Sequence, residues 1–285
     1  MTALTEVPST TARPMRAPWL RFAAYVARRK RLAPLAWGLP LGLMAVMVVA
    51  VFPSIRDSSQ LDELIKSYPD ALKEAFGISD VSFRSISGYL SAEIFSTIAP
   101  FTAAAFMIHA VTTGISSAEH RDVLDVTLSA PFRRRHLLLG HLAGAAAILL
   151  AIALVLGALT QGAAAVFGVE LPVGKTLAGV AGLWPLGVFS GGVTLLLAGL
   201  SRRPAVVGGG AASVLAAMYL VAMYLVEVLG KRSDTFAAVD GISAFHYYGS
   251  AIEEGFDPAS AAILVAGGAL VAAVGCALFE RRDVG

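Results

Sequence analysis

The chain alternates long apolar stretches with shorter polar ones, and the apolar stretches have the length that crosses a bilayer. A helix needs about 20 mostly apolar residues to span a hydrocarbon core about 30 Å thick. Six stretches meet this requirement: Ala33–Ile55, Tyr89–Ile115, Ala143–Phe167, Leu177–Leu200, Pro204–Val226 and Ala259–Phe279. Glu93 is the single charged residue inside them, and a charge in a span costs about 2.5–3.5 kcal/mol. The pattern predicts an all-α integral membrane protein with six transmembrane helices.

The composition of the chain supports the same class. Charged residues make up 15% of the 285 residues, against about 25% in soluble domains, and the mean hydropathy is +0.72. The formal net charge of +2 gives no indication of nucleic-acid binding. The single cysteine, Cys276, excludes an intrachain disulfide and a cysteine-based metal site, so we expect it to pack inside the last span.

The positions of lysine and arginine predict how the six spans are oriented. Fifteen of the 22 basic residues fall on the side that holds both termini, and basic residues near span ends stay cytoplasmic. Both termini are therefore expected inside. The predicted divisions are a cytoplasmic N-terminus at 1–32, a six-span domain at 33–280, a cytoplasmic loop at 116–142, outer loops at 56–88, 168–176 and 230–258, and a cytoplasmic tail at 281–285.

The N-terminal region has no apolar stretch of the kind found in a cleavable signal peptide. Trp19, Phe22 and Val26 fall on one helical face, with Arg21 and Arg28 opposite. This arrangement predicts an amphipathic helix lying in the membrane surface, with its aromatic rings at headgroup depth. The alternative is a basic topology signal before the first span, and the pattern fits both equally well.

Two outer loops carry patterns of their own. In 56–88, apolar residues at helical spacing are interrupted by Pro69, which predicts two short helices meeting there. The loop 230–258 is rich in acids and contains the aromatic run Phe245-His246-Tyr247-Tyr248. We interpret this run as an anchor at the membrane interface, in preference to a substrate contact.

Two patterns that look like a nucleotide site and a metal site fail on their spacing. Five residues separate Gly168 from Gly174, where a phosphate-binding loop needs four, and this loop lies on the outer face. His136 and His141 are five apart and lack the glutamate of a helical zinc motif. We therefore expect no catalytic residue, no metal site and no nucleotide site in this chain.

Two carboxylates, Glu93 and Glu227, lie near the outer ends of the second and fifth spans. An ionisable residue within a membrane span is a functional candidate by default. Both lie close enough to the ends of their spans to reach water, so a solvated acid and a substrate or proton site remain open for each.

The longest charged interruption on the cytoplasmic side is Ser117–Leu142. Its acids Glu119, Asp122 and Asp125 recur every three residues, and leucines and then Arg133–Arg135 follow them. A solvated cytoplasmic loop explains the arginines by the preference of basic residues for this side. It does not explain the acids and leucines placed before them.

The run Glu119–Pro131, EHRDVLDVTLSAP, followed by FRRRHLLLGHL, resembles the signature of type-2 ATP-binding-cassette (ABC-2) exporter permeases. That signature has the form E-E-x-G-T-L-E-x-L-L-x-x-P, then S-R-x-x-L-L-x-G-K. The residues that match are Glu119, Leu124, Leu128, Pro131, Leu138 and Gly140, with Asp125 at the usual second acid. The departures are Asp122 for glycine, Val123 for threonine and His141 for lysine. The chain end Phe279-Glu-Arg-Arg-Asp283 is similar to the F-x-R-R-D tail of the same family.

The resemblance implies a permease subunit of an exporter, without a cofactor or enzymatic activity of its own. A separate ATPase, in two copies, would bind ATP and magnesium. A second permease copy, identical or similar, would complete the transporter among the lipids of a bacterial cytoplasmic membrane. The implied cargo is a drug-like or lipidic molecule that moves outward.

In this family a short helix in the first cytoplasmic loop fits into a cleft of the ATPase. The resemblance assigns polar anchoring to Glu119, Asp122 and Asp125 and apolar contact to Val123, Leu124, Thr127 and Leu128, with Pro131 closing the run. Arg133 and Arg134 would pair with acidic groups or lipid phosphates.

Two other classes of membrane protein remain open. An ion-coupled secondary transporter would need acids near the midplane of broken spans, and Glu93 and Glu227 are peripheral for that role. A membrane-embedded hydrolase would need a nucleophile or metal constellation in the spans, and the sequence suggests none. Transport without an ATPase would indicate the first class, and turnover by the purified chain alone would indicate the second.

Overall fold

The computed structural model describes residues 18–56, 85–120, 134–200, 205–230 and 240–280, and all regular structure in these ranges is helical. The helices are α1 (Pro18–Arg29), α2 (Ala33–Arg56), α3 (Ile86–Leu90), α4 (Ile98–His120), α5 (Arg134–Val166), α6 (Val173–Leu200), α7 (Ala205–Gly230), α8 (Ala244–Tyr248), α9 (Ala251–Glu254) and α10 (Pro258–Glu280). A π-helical segment, Ser91–Phe95, lies between α3 and α4, and a 3₁₀ turn, Asp240–Ile242, precedes α8.

Within these described ranges, six stretches are long and apolar enough to cross a membrane: α2, the broken helix from α3 to α4, α5, α6, α7 and α10. The chain is therefore an all-α integral membrane protein with six transmembrane helices, and the predicted fold class is confirmed. The orientation remains a prediction from the basic residues. Following it, we call the end of the bundle that carries α1 the cytoplasmic end.

Helix α6 lies at the centre of the bundle and packs against α4, α5, α7 and α10. Its leucines Leu183, Leu186 and Leu195 are almost completely buried because neighbours cover several sides of the helix. Helix α2 packs on the outside of α5, and α1 lies across the cytoplasmic part of α5. Helix α7 is the least covered of the six, and Met218 in its middle is 63% exposed.

Helices α6 and α10 meet backbone to backbone along a seam of four glycines, Gly192 and Gly199 on α6 and Gly268 and Gly275 on α10. A Cβ atom added to Gly268 would lie 2.8 Å from the Cα of Phe189, and one added to Gly275 would lie 2.7 Å from the carbonyl carbon of Leu195. Small residues are enriched where membrane helices approach this closely. The seven-residue spacing on each helix keeps the two contacts on one face.

The second span is broken, whereas the hydropathy pattern predicts one continuous helix. Helix α3 passes into the π segment, and α4 begins only after a turn at Ser96 and Thr97. The residue responsible is Pro100, which has no N–H to donate to the Ser96 carbonyl and whose ring would clash with it in a continuous helix. Starting α4 at Ile98 places this proline in the first turn, where it is tolerated.

The third-span helix begins at Arg134, nine residues before the predicted start at Ala143, and the second-span helix runs to His120. The cytoplasmic loop is thus shorter than the predicted 116–142. Leu138 is buried in the added part, and α1 packs along it. This extension is stabilised by protein contacts, so a pattern based on lipid solubility does not detect it.

The start of α10 shows a helix cap that is readable from the Asp-Pro pair in the sequence. The Asp257 carboxylate accepts hydrogen bonds from the backbone N–H groups of Ala259 (3.0 Å) and Ser260 (3.2 Å). Pro258 occupies the first helical position, where its missing N–H costs nothing. The two short helices predicted in 56–88 lie almost wholly outside the described residues, which resume at Ser85.

Candidate functional site

The residues predicted to contact an ATPase lie mostly outside the described ranges. These are Asp122, Val123, Leu124, Asp125, Thr127, Leu128, Pro131 and Arg133. The structure places the two residues that flank them: Glu119 is in the last turn of α4, and Arg134 is the first residue of α5. We call the segment between these helices, residues 121–133, the insert. Both of its anchor points belong to helices that pass into the membrane.

Helix α1 packs its apolar face on α5. Val26 is buried and Phe22 is half-buried, whereas Trp19 is 36% exposed. Gly140 and Gly144 of α5 allow this approach: a Cβ added to Gly140 would lie 3.0 Å from the Trp19 carbonyl oxygen, and one at Gly144 would lie 2.9 Å from that of Ala23. The predicted amphipathic helix is present, and part of its apolar face contacts protein. Its location in the membrane surface stays a prediction.

Side chains from three elements meet where α1, α4 and α5 converge, and we call Phe22, Lys30, Thr113, Gly114 and His141 the basal cluster. The His141 ring lies 4.8 Å from the Phe22 ring, between centroids. A Cβ added to Gly114 would lie 2.9 Å from the His141 Cγ, so the ring rests directly on α4. The Leu137 carbonyl can only accept, so the 3.1 Å contact from His141 Nδ1 indicates that Nδ1 carries the proton.

Lys30 links the turn after α1 to α4. Its Nζ donates a hydrogen bond to the Thr113 hydroxyl oxygen at 3.2 Å, and that hydroxyl donates to the His109 carbonyl at 2.7 Å. Burial, and then the charge of neighbouring Arg29, lower the pKa of Lys30. The partly buried ammonium loses some of its hydration, so its hydrogen bond to Thr113 is costly to break. This bond fixes the turn after α1 to the second span.

The basal cluster joins the two helices that hold the insert to the surface helix α1. The insert follows α4 and precedes α5. Helix α5 contacts α1 at Val26 and Phe22, and α4 contacts the turn after α1 through the part-buried hydrogen bond of Lys30 to Thr113. Close-packed contacts of this kind transmit displacement because they leave little room to deform. The arrangement can therefore pass a movement of the insert to α1 and to the second and third spans together.

At the outer end of the bundle, residues 240–254 fold into a compact element that we call the outer cap. Phe245 and Tyr248 are buried in it, at 4% and 9% exposure, so the interpretation of this aromatic run as an interface anchor is wrong for these two residues. Phe245 packs against Phe101 and Tyr224, with centroids 5.5 and 5.4 Å away. The run turns inward because α8 presents one aromatic face to the bundle.

Hydrogen bonds fix the outer cap to the second and fifth spans. The Tyr248 hydroxyl donates to the Phe95 carbonyl of the π segment at 2.7 Å, and burial raises the pKa of this tyrosine. The Ser243 hydroxyl donates to the Met223 carbonyl of α7 at 2.9 Å and also caps α8. Ile252, fully buried, packs against Gly179 of α6. The cap is thus attached to three spans.

A cavity of about 140 Å³ lies between the outer cap, α6 and the start of α10. Its lining includes Pro185, His246, Tyr248, Glu254 and Asp257. The Asp257 carboxylate is already engaged as the cap of α10, and hydrogen bonds from the Ser260 side chain and from the backbone of Ala259 and Ser260 lower its pKa. The cavity is therefore small, polar and partly committed to helix capping.

The two membrane carboxylates have different surroundings. Glu93 lies in the π segment and is exposed. Glu227, near the end of α7, is 15% exposed. Its Oε2 lies 3.9 Å from Nδ1 of His246, on the outer cap. The outer cap covers Glu227 and leaves Glu93 open.

No group of three histidine, cysteine or acidic side chains in the described ranges is arranged to hold a metal ion. His141 is instead committed to the basal cluster. Cys276 is buried in α10 and packs with Leu195 and Ala198 of α6.

Sequence reasoning missed the outer cap and the π segment, although both leave signals. Ser243 before the aromatic run and Gly249 after it, with a φ of 57°, mark the two ends of a short helix. Pro100 marks the break in the second span. The contact between Tyr248 and Phe95 joins residues 153 positions apart, and no local pattern predicts it.

Comparison with known families gives one match over most of the chain. The family model described as multidrug efflux system permease Rv1217c, C-terminal domain, matches residues 22–280. The match begins in α1 and ends at the last residue of α10, so it includes all six spans. No curated protein matches the sequence.

Proposed function

The chain belongs to the family of the multidrug efflux system permease Rv1217c, C-terminal domain, and on that premise we propose that a separate ATPase drives it as an exporter subunit. Membership makes the chain a permease of an efflux system. The cargo that we propose is a drug-like or lipidic molecule that moves outward. ATP and magnesium would bind to the ATPase, and the permease would respond to its movement.

The observation that carries this proposal is the position of the insert. It runs between His120 of α4 and Arg134 of α5, and the basal cluster joins both helices to α1. We propose that Glu119, Asp122 and Asp125 anchor the insert in a cleft of the ATPase and that Leu124 and Leu128 fill the cleft. Closure of two ATPase subunits would then move the second and third spans together with the surface helix.

A second permease copy would complete the transporter, and the exposure of α7 supports this part of the proposal. Leu215, Met218 and Leu225 are 51, 63 and 49% exposed, on the span that the rest of the bundle covers least. Helix α7 packs on α4 and α6 from one side only, and its exposed side suits an interface between copies or a lipid-facing surface. We propose that the substrate route runs between the two copies, with the relative position of the copies as its two-state element.

The test is co-purification of an ATPase with the tagged chain in mild detergent. We expect the wild-type chain to retain an ATPase and the double variant Glu119→Ala plus Leu124→Asp to lose it, because the variant removes one polar anchor and inserts a charge into the apolar contact. The matched control is Glu280→Ala plus Leu200→Asp, which makes the same changes at two exposed residues of the cytoplasmic end.

Retention by the control and loss by the insert variant support the proposal. A wild-type chain that purifies without an ATPase, monodisperse and stable, contradicts it and favours an ion-coupled transporter. Equal loss in both double variants contradicts the assignment of the insert as the coupling element.

A further inference from the structure

Four basic residues follow one another where α1 ends, and three of them have no acidic partner in the part of the chain that the structure describes. Arg28, Arg29 and Arg31 are exposed, and none of them forms an ion pair with a described carboxylate. Lys30 between them is half-buried and bonded to Thr113. Burial, and then the charge of Arg29, lower the pKa of Lys30, so the positive charges repel one another. We call Arg28, Arg29 and Arg31 the basic turn.

The basic turn lies at the edge of a membrane span. Arg31 comes two residues before Ala33, where α2 and the first membrane-spanning stretch both begin. This span contains 23 residues, which is about 35 Å at about 1.5 Å per residue, against a hydrocarbon core about 30 Å thick. Its ends therefore reach the lipid headgroups, whichever way the chain is oriented. Clusters of arginine and lysine next to a span attract anionic headgroups.

The Arg29 guanidinium is held in one position without being covered. Its Nη1 donates a hydrogen bond of 2.9 Å to the hydroxyl of Tyr25, one helical turn earlier, and Tyr25 is itself 52% exposed. A guanidinium carries five N–H donors in a planar fork, so the others remain to bind the oxygens of a phosphate in pairs. The side chain is thus oriented for an anion before the anion arrives.

An exposed apolar stripe continues from the basic turn along α2. Leu32, directly after Arg31, is 67% exposed. The next residues on the same side of the helix follow at spacings of three and then four, and all are exposed: Leu35, Leu39, Leu43 and Met47. Helix α2 packs on α5 with its opposite side, where Leu41 and Ala45 are buried. A charged turn above an apolar stripe matches the two parts of a phospholipid, a headgroup and an acyl chain.

We propose that the basic turn binds the phosphate of an anionic phospholipid whose acyl chain lies along the stripe on α2. A zwitterionic lipid also carries a phosphate, but its ammonium group offsets the attraction to arginines that lack an acidic partner. The bound anion reduces the repulsion within the basic turn. It thereby stabilises the segment that Lys30 attaches to α4 through Thr113. Because the site lies wholly on this chain, it does not depend on an ATPase.

The test titrates two lipids with the same acyl chains, palmitoyl-oleoyl phosphatidylglycerol and palmitoyl-oleoyl phosphatidylcholine, onto the purified full chain in detergent, with native mass spectrometry as the readout. We expect the wild type to prefer phosphatidylglycerol. Arg28→Gln plus Arg31→Gln should weaken phosphatidylglycerol binding about ten- to thirtyfold, which corresponds to about 1.4–2 kcal/mol for two charges. Binding of phosphatidylcholine should change little. Arg28→Lys plus Arg31→Lys, which keeps both charges, should retain the preference.

The matched control is Arg281→Gln plus Arg282→Gln, which removes two arginines that directly follow the end of α10 at Glu280. It should leave phosphatidylglycerol binding unchanged, although these arginines also adjoin a span. Equal weakening by the two double variants overturns the inference, because any basic residue beside a span would then suffice. A wild type that binds both lipids equally overturns it too, and this comparison requires no variant to fold.

Other occupants of this surface give different results. If inorganic phosphate displaces phosphatidylglycerol, the basic turn recognises a soluble anion and the assignment to lipid is wrong. If Arg28→Gln plus Arg31→Gln converts a dimer to a monomer, the basic turn belongs to a contact between copies and the inference is wrong. Leu32→Asn should weaken the binding of both lipids, since it alters only the start of the stripe. Unchanged binding of both would refute the path of the acyl chain along α2.

Discussion

Replacing Gly268 with alanine should separate α6 from α10, because the seam between them has no room for a methyl group. The new Cβ would lie 2.8 Å from the Phe189 Cα, 3.0 Å from its nitrogen and 3.1 Å from the Val188 carbonyl oxygen. These are backbone atoms, which no rotamer change can move aside. The helices must therefore part by about 0.8 Å to reach an ordinary contact of about 3.6 Å.

The cost of this separation can be bounded. Overpacking by one methyl group costs about 1–3 kcal/mol, and a gap of this size forfeits a quarter to a half of the dispersion energy along the seam. Replacing a helical glycine with alanine stabilises the helix by about 0.5–1 kcal/mol, because the unfolded chain then loses less conformational entropy on folding. We therefore expect Gly268→Ala to lower the free energy of unfolding by up to about 2.5 kcal/mol.

The control is Gly162→Ala in α5, where an added Cβ would meet nothing within 4 Å. This variant should gain up to about 1 kcal/mol from helix propensity alone. The difference between the two variants, about 1–3 kcal/mol, isolates the contact from the propensity. Unfolding in SDS titrations of dodecyl maltoside micelles, followed by tryptophan fluorescence, measures both.

A double variant gives a sharper test of the geometry. Gly275→Ala on the same face should also destabilise, since its Cβ would lie 2.7 Å from the Leu195 carbonyl carbon. Once the first substitution has parted the helices, the second requires less further separation. The double variant should therefore be destabilised by less than the sum of the two single variants. A Gly268→Ala protein as stable as Gly162→Ala would refute a backbone contact at this seam.

Three further changes test other contacts. Tyr248→Phe should destabilise the chain by about 1–3 kcal/mol in the same titration, because it leaves the buried Phe95 carbonyl without its donor; an unchanged midpoint would contradict this bond. Gly140→Ala should loosen α1, since its Cβ would lie 2.8 Å from Phe22 Cδ1, and faster tryptic cleavage at the arginines of α1 would show it. Asp257→Ala should lower the thermal midpoint at neutral pH. The pKa of Asp257 is lowered in the folded chain, so the stabilisation from its helix cap is fully present above the ordinary aspartate pKa and is lost as the pH falls through the folded pKa. The thermal midpoints of the wild type and the variant should therefore converge in acid.

The fold class could be predicted because each span must be apolar along its whole length, and that property is local. The prediction of the first span, Ala33–Ile55, agrees with α2 to within one residue. The third span was predicted to start too late because buried contacts with α1, at Gly140 and Gly144, extend its helix beyond the apolar stretch. Hydropathy measures compatibility with lipid and does not detect stabilisation by protein.

The candidate site was predictable only in part, for a similar reason. The spacing of Trp19, Phe22 and Val26 predicted a helix before the first span, and the structure adds the surface that it packs on. His141 appears in the sequence as a departure from a family pattern, and its contact with Gly114 depends on how two spans are aligned. Contacts between elements distant in the chain are set by packing and leave no local periodicity.

The long reach of the outer cap has a consequence for how the chain is made. Phe95 enters the membrane 153 residues before Tyr248 is synthesised, an interval of roughly 8–30 s at 5–20 residues per second. During that time the Phe95 carbonyl of the π segment lacks its Tyr248 donor, so the outer half of the second span has not reached its final packing. The contact between the outer cap and the second span therefore forms late in synthesis, and a ribosome that stops after α7 leaves five spans inserted with the π segment still without its Tyr248 donor.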